Sequence, residues 1–583
     1  MQTAESKRTL AAWLAAFFLV ALGAKLWTIQ LWATNLPFWD QWDEARLLFK
    51  PWLEGTLTWR DFFIPHNEHR ILFTRLLDLL EVKLNGRWDI YLQTVINALL
   101  HIGYGCGVAT AIWHFTGRKY AGLICFSLLP FFALPFAAEN TIRGFQSQFY
   151  FTNVFSVIAI LGLGFGKPCG KLWFGGLMAA LLAIFTMASG FLAAAAIVGL
   201  VGLRVAKYRN ASRGEILTAL CGLAVVAFGL AVKVTVAQHA QLQANSAGDF
   251  IGTLLENLAW PFGSHPVLLL LLQLPLALVA VKFFRGGFKN QRAAEFVLAL
   301  GGWAFLQALV LAYGRARMAE SSRYLDALST LPLANCAALF VLAAEKKFTP
   351  CVKKFALPFA LIWSAILIFG QVQSSRAIAE NYLEGARGWG LAQVQTVRAF
   401  IATGDAAALK NSPRETVPYW SADWLVEILQ QPKLVSILPA EAFPPASDLK
   451  KNGRFSAAAL AVVDHAVAIL CAGLVACAFL AGRALRRPGI SLRGEGIAWL
   501  CVILAALTTG LGAFCWRDVD RTSYTVSLHK KLALVYANSA RTDDAALHLH
   551  EALKLQPNDT EAQKELQILE SGRLKPTSSE TKP

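Results

Sequence analysis

PFWDQWDEARLLFKPWLEGTLTWRDFFIPHNEHRILF, residues 37–73, follows directly on the first apolar run of the chain and gathers Asp40, Asp43, Glu44, Glu54, Asp61, His66, Glu68, His69 and Arg70. The sequence around it is mostly Leu, Ala, Phe, Val and Gly. At 583 residues and 56% hydrophobic, the chain is too apolar for an ordinary water-soluble protein. Apolar runs of about 20 residues, the length that crosses a hydrocarbon core, recur along it. The contrast decides the class: an all-α polytopic membrane protein with its ionisable groups concentrated in one loop at the membrane surface. Such clustering points to chemistry at the bilayer face.

The runs begin near Leu10, Gln93, Tyr120, Gln148, Leu172, Ser189, Ile216, His265, Ala293, Tyr324, Phe355, Ala457 and Gly496, and predict about 13 transmembrane helices. The first, Leu10 to about Thr34, is too long for a signal-peptide core and reads as a retained anchor. Leu172 to Leu203 reads either as two short helices broken at Ala188-Ser189-Gly190 or as one long tilted helix; the basic gaps on either side favour two.

A net charge of +16 suggests nucleic acid, but its placement excludes that reading. Arg118 and Lys119, Lys167 and Lys171, Arg204 to Arg213, Lys282 to Arg292, Lys346 to Lys354 and Arg483 to Arg493 fall on every second connection. This is the positive-inside pattern, and it predicts a cytoplasmic N-terminus and, with an odd count, an exported C-terminus. The exported segments are then 35–92, 374–455 with its PYWSADW motif, and the tail after Trp516. A shorter piece at 238–264 reads as amphipathic and re-entrant, with Trp260, Pro261 and Phe262 suited to the interface. The long exported loops hold no cysteine, so no disulfide framework is expected. The domains are a core of 1–373, the loop 374–455, further spans in 456–516, and a tail of 517–583. In the tail, Tyr536, Ala545, Ala552 and Pro557 have tetratricopeptide-like spacing, which predicts a short helical unit able to dock a protein partner, followed by a disordered end.

Four clusters carry the candidate chemistry. Asp40, Asp43 and Glu44, flanked by Trp39 and Trp42, suit a general base or a divalent cation; the alternative is a solvated amphipathic helix, DEARLLFKPWL, lying on the bilayer. His66, Glu68, His69 and Arg70 suit phosphate recognition, or a metal if the histidines share a helix, against an interfacial turn with no chemistry. AENTIRGFQSQF crowds Glu139, Asn140, Arg143, Gln146 and Gln148 at two helix ends, which implies a polar network or cavity where Arg143 and Gln146 can meet a substrate phosphate, against structural capping and inter-helix hydrogen bonding. YGRARMAESSRYLD puts Arg315, Arg317 and Arg323 where positive-inside logic does not call for them. With Tyr324 they suit a lipid-linked phosphate, against plain salt bridging to Glu320 and Asp326.

On W-D-Q-W-D-E-A (39–45) and H-N-E-H-R (66–70), the chain resembles the GT-C superfamily of integral membrane glycosyltransferases, in the clan of protein O-mannosyltransferases and aminoarabinose transferases. It is also similar to bacterial multispan proteins with GFQSQF-type and GR…SRY segments. The resemblance covers roughly residues 1–375. It implies a catalytic carboxylate in the first exported loop, by position Asp40 or Asp43 with Glu44 as neighbour. Gln41 departs from a second acid beside Asp40 and leaves metal dependence open. The implied protein sits in a bacterial inner membrane and moves a sugar from a polyprenyl-phosphate donor to a periplasmic lipid, glycan or protein, with an optional divalent cation. A flippase or transporter of lipid-linked glycans, an O-antigen polymerase or ligase, and a scaffold acting through the tail are the competing readings.

Overall fold

A computed structural model of the chain describes residues 2–118, 120–263, 265–316, 318, 321–345, 350–444, 447–485, 526, 529–530, 532–534, 536–537 and 541–571. Among them every regular element is helical, and the one extended pairing is a bridge between His66 and His69. Nine helices among the described residues are long and apolar enough to cross a membrane: Lys7–Trp32, Ile90–Phe115, Ala121–Ile142, Gly144–Phe165, Arg213–Ala231, Gln291–Gly314, Ser322–Ala344, Ala356–Thr403 and Ala466–Ala484. The expected spans from Leu172, Ser189 and His265 are shorter. Lys171–Ala183 and Leu192–Tyr208 are separate helices of 13 and 17 residues, and the third is broken into Leu269–Leu272 and Leu274–Arg285. At 1.5 Å per residue a 13-residue helix reaches only about 20 Å, short of a bilayer. The thirteenth expected span, the sequence after Gly496, lies outside the described residues, as does the end of the tail.

Close packing in the bundle rests on small residues, as expected where lipid offers no hydrophobic drive. The first helix lies against Ala466–Leu485 so closely that a Cβ on Gly473 would stand 2.6 Å from the backbone nitrogen of Val20. At one end of the bundle the basic connections meet. Arg204 pairs with Glu295 at 2.8 Å, Lys207 donates to the Phe283 carbonyl and to Gln291, and Asn290 donates to the Phe115 carbonyl.

The opposite end carries the loops. The Ala356–Thr403 helix does not stop near residue 374; its 48 residues extend about 70 Å and carry it well past the bilayer. There the late loop and the first loop share one apolar core. Trp42, Leu48, Phe49 and Trp88 pack with Val397, Tyr419, Leu425 and Phe443. The apolar face of DEARLLFKPWL is therefore spent on protein rather than on lipid: Leu48 and Phe49 are fully buried. Trp260 likewise leaves the interface; it is buried edge-on against Phe136, with ring centroids 4.9 Å apart. In the tail, helices Thr542–Leu555 and Thr560–Glu570 pack with Tyr536 onto Ala392 of the long helix, so this unit sits at the loop end.

Gly473→Leu is expected to destabilise the bundle by about 1–3 kcal/mol or more through overpacking. Gly482→Leu, on the same helix with nothing within 4 Å, is expected to be neutral. Apparent melting temperatures in detergent separate the two, and equal values would contradict this helix pairing.

Candidate functional site

His66-Asn67-Glu68-His69 is a tight turn. The His66 N–H donates to the His69 carbonyl at 2.8 Å and the His69 N–H returns the bond at 2.9 Å. Asn67 takes a φ of +51°, a left-handed conformation that Asn tolerates better than most residues. The next helix, Leu72–Asn85, begins only after the turn. The two histidines therefore do not share a helix face, and each side chain leaves for a different neighbourhood.

The His66 ring points to the carboxylates. Its Nε2 lies 3.8 Å from Asp40, and its Nδ1 lies 4.0 Å from Asp43 and 3.8 Å from Glu44. Phe145 closes the ring's edge at 4.9 Å. Burial opposes the charged ring, but the three carboxylates outweigh it and hold its pKa above the usual value. The carboxylates differ among themselves. Glu44 is fully buried and gives both oxygens to Arg75, at 2.9 and 3.1 Å. It braces the loop, and its side chain has no open face for a substrate. Asp43 accepts from the Tyr419 hydroxyl of the late loop, and burial raises its pKa against that bond. Asp40 is the most open, with 38% of its side chain accessible. Burial would raise it too, but His66, then Arg323 and His239, keep its carboxyl below the ordinary range. Gln41 is buried and donates to Gln93 at 2.7 Å, and Gln93 donates to Asp78 at 2.8 Å. An acid at position 41 would join an already acid-rich interior: burial pushes Asp78 well up and Glu81 up to about 8.

His69, half-buried, serves differently. Its Nδ1 accepts from the Ala188 N–H at 3.0 Å and so caps the break between the two short helices. Burial lowers its pKa to about 4, which keeps the ring a neutral acceptor. Arg70 donates to the Val232 carbonyl at 2.5 Å. Both residues thus hold backbone in place. Glu68, as an anion, cannot bind phosphate itself. It accepts from Arg315 at 2.8 Å and meets His239 at 2.6 Å.

The other two clusters come to the same end. Arg315 also donates to the Tyr324 hydroxyl at 3.1 Å. Arg323 faces Glu139 at 3.4 Å, and its charge reaches Asp40. Arg143 lies 3.7 Å over the Phe38 ring and 3.4 Å from the Tyr382 hydroxyl. Gln146 is buried and accepts from Gln148 at 3.3 Å. Arg317 lies outside the described residues. Beneath this surface, inside the bundle, Lys25 donates to Thr141 at 3.2 Å, Asn140 donates to Asp326 at 2.9 Å, and His101 lies 3.8 Å from Asp326.

Arg75, His239, Tyr419 and Tyr382 escape sequence reasoning. Arg75 looks like any polar residue on an amphipathic helix. His239 and Tyr419 lie more than 150 residues from the loop they meet. The PYWSADW motif is the one signal that could have singled out Tyr419. The oxygens of Asp40 and Asp43 are of the type a hard cation takes, but among the described residues no three His, Cys, Asp or Glu groups are arranged to hold a metal ion. The chain matches no protein-family model, and no curated protein or solved structure is significantly similar to it.

Removing one partner of the Glu44–Arg75 pair is expected to cost about 3–5 kcal/mol, because the other charge is left buried and unpaired. Glu44→Ala alone should therefore melt earlier than the Glu44→Met/Arg75→Met pair. His66 supplies a pH signature. Folding favours its protonated form, so its contribution is whole below the ordinary value of 6.5 and is lost as pH rises through the higher folded value. Melting temperatures measured from about pH 6 to 9 should fall in the wild type, and His66→Gln should remove that part of the decline.

Proposed function

We propose that this chain is a GT-C-type membrane glycosyltransferase, moving a sugar from a polyprenyl-phosphate donor to a hydroxyl of a lipid, glycan or protein. The observation that carries the reading is the meeting of two open carboxylates, Asp40 and Asp43, around His66, within reach of the charge of Arg323 and at the same bundle end as Arg315. Inverting glycosyl transfer needs a base on one side of the anomeric carbon and cationic stabilisation of a departing phosphate on the other.

In this reading Asp40 takes the proton of the acceptor hydroxyl. The freed oxygen attacks the anomeric carbon, and the carbon–oxygen bond to phosphate breaks with inversion. The phosphate leaves with the bonding pair, toward Arg315 and Arg323. Asp40 is preferred to Asp43 because it is the more open. His66 fixes the pair and balances its charge. The site would face the periplasm of a bacterial inner membrane, with the N-terminus in the cytoplasm. The docking of the tail at the loop end is compatible with an exported C-terminus.

Membranes containing the expressed protein, given radiolabelled polyprenyl-phosphate sugars, test this. Asp40→Asn is expected to lower transfer by about 10²–10⁴-fold, the usual worth of a general base, and Asp43→Asn by less. Equal transfer by wild type and both variants would remove the carboxylates from the chemistry.

A further inference from the structure

Glu68 stands where an anion would be expected. Its Oε1 takes both nearby donors, Arg315 Nη2 at 2.8 Å and His239 Nδ1 at 2.6 Å, while its Oε2 is buried and accepts nothing. Arg315 offers Glu68 one donor only, since its Nη1 donates to the Gly314 carbonyl at 2.8 Å. Arg315 Nε is turned to the Tyr324 hydroxyl at 3.1 Å. Arg315 follows the Gln291–Gly314 helix and His239 lies in the short helix Ala237–Leu242, and the two meet at one point on Glu68. A phosphate group carries at least as much charge and spreads its oxygens tetrahedrally, so the two donors can be met by different oxygens rather than crowding one.

The position of Glu68 allows exchange. It belongs to the two-residue tip of the His66–His69 turn, next to left-handed Asn67, so its side chain can swing out without moving a helix. It is also fully charged in place. Burial disfavours the carboxylate, but Arg315 and His239 outweigh that and bring its pKa to about 2.

We propose that Glu68 is a resident stand-in for phosphate: a prenyl-linked phosphate displaces it from Arg315 and His239, and the carboxylate sets the threshold for binding at that subsite. This rests on the reading of Arg315 as a phosphate-binding residue. Glu139 stands in a similar relation to Arg323, at 3.4 Å, but without an orphaned oxygen. The displaced Glu68 turns toward solvent, and the like charges of phosphate and carboxylate then oppose its return while ligand is bound.

The test is binding of farnesyl phosphate to the full chain in nanodiscs, with inorganic phosphate as a second probe and farnesol as a neutral control. Glu68→Gln should bind farnesyl phosphate at least tenfold more tightly than wild type, and Arg315→Gln should abolish that binding in both backgrounds. Melting temperatures confirm folding of each variant; should Glu68→Gln fail to fold, Glu68→Asp, whose shorter side chain cannot hold both donors, takes its place. Equal affinities in wild type and Glu68→Gln, with loss in Arg315→Gln, would overturn the stand-in and leave the phosphate subsite intact. Binding indifferent to Arg315 in every background would overturn both. Inorganic phosphate held as tightly as farnesyl phosphate would keep the stand-in and assign the subsite to a soluble phosphate.

Discussion

One guanidinium decides where the first loop goes. Arg75 lies on the helix that follows the loop, is fully buried, and grips Glu44 near the loop's beginning with two bonds. Its remaining donors reach the carbonyls of Asp61 and Ile64 in the loop's middle. Three stretches separated by up to 31 residues are thereby tied to one side chain. His66 follows Ile64 by two residues and Asp43 precedes Glu44 by one, so the same fork brings the imidazole to the carboxylates. A buried ion pair need not stabilise relative to a well-packed apolar pair. Its worth here is positional. Lysine could not replace it, because a point charge lacks the planar fork that meets a carboxylate and carbonyls together.

The second organising rule is that charge at this end of the bundle is answered locally. Arg315 has Glu68, Arg323 has Glu139, and Arg143 has the Phe38 ring and Tyr382. Arg315 and Arg323, which look exceptional in the sequence because positive-inside logic does not call for them there, are not left bare. A site for an anionic lipid headgroup assembled from unpaired arginines would carry a large self-repulsion when empty. Pairing Arg315 and Arg323 with acids removes that repulsion, and on the stand-in proposal binding would be an exchange of anions. The cost is affinity, since any ligand must first outcompete a tethered carboxylate.

Much of this could be read from the sequence, and the limits have physical causes. Span positions follow from apolar length alone, so nine of them coincide with helices of crossing length. The failures are where length stops being the criterion. Lys171–Ala183 and the broken stretch after Pro266 are apolar but short, and only their packing partners make them part of the bundle. The amphipathic segment after Asp43 gives the same pattern whether its apolar face meets lipid or protein; only the late loop, over 350 residues away, decides that it meets protein. Within the site, Asp40, Asp43 and His66 are legible because ionisable residues are conspicuous in an apolar chain. The division of labour among them is not. Whether a carboxylate is open or sealed depends on Arg75 and Tyr419, and neither announces its partner in a one-dimensional pattern.

The polar groups inside the bundle bear on why this end can hold a fixed geometry at all. Asn140 bonds both the Arg323 carbonyl and the Asp326 carboxylate, at 2.9 Å each, and so locks the start of the Ser322–Ala344 helix to the end of Ala121–Ile142. Lys25 ties the first helix into the same region through Thr141. Polar groups at this depth have no water to fall back on, so breaking one of these bonds strands its partner and costs more than a surface bond would. The consequence is a division by depth. Below, a polar lattice fixes the helix ends that carry Glu139 and Arg323. Above, Asp40 lies in the short helix Trp39–Trp42 and Glu68 at the tip of the His66–His69 turn, each held by side-chain partners from the loops and helix ends around it. The frame thereby holds Arg323 and Glu139 in register beside Asp40.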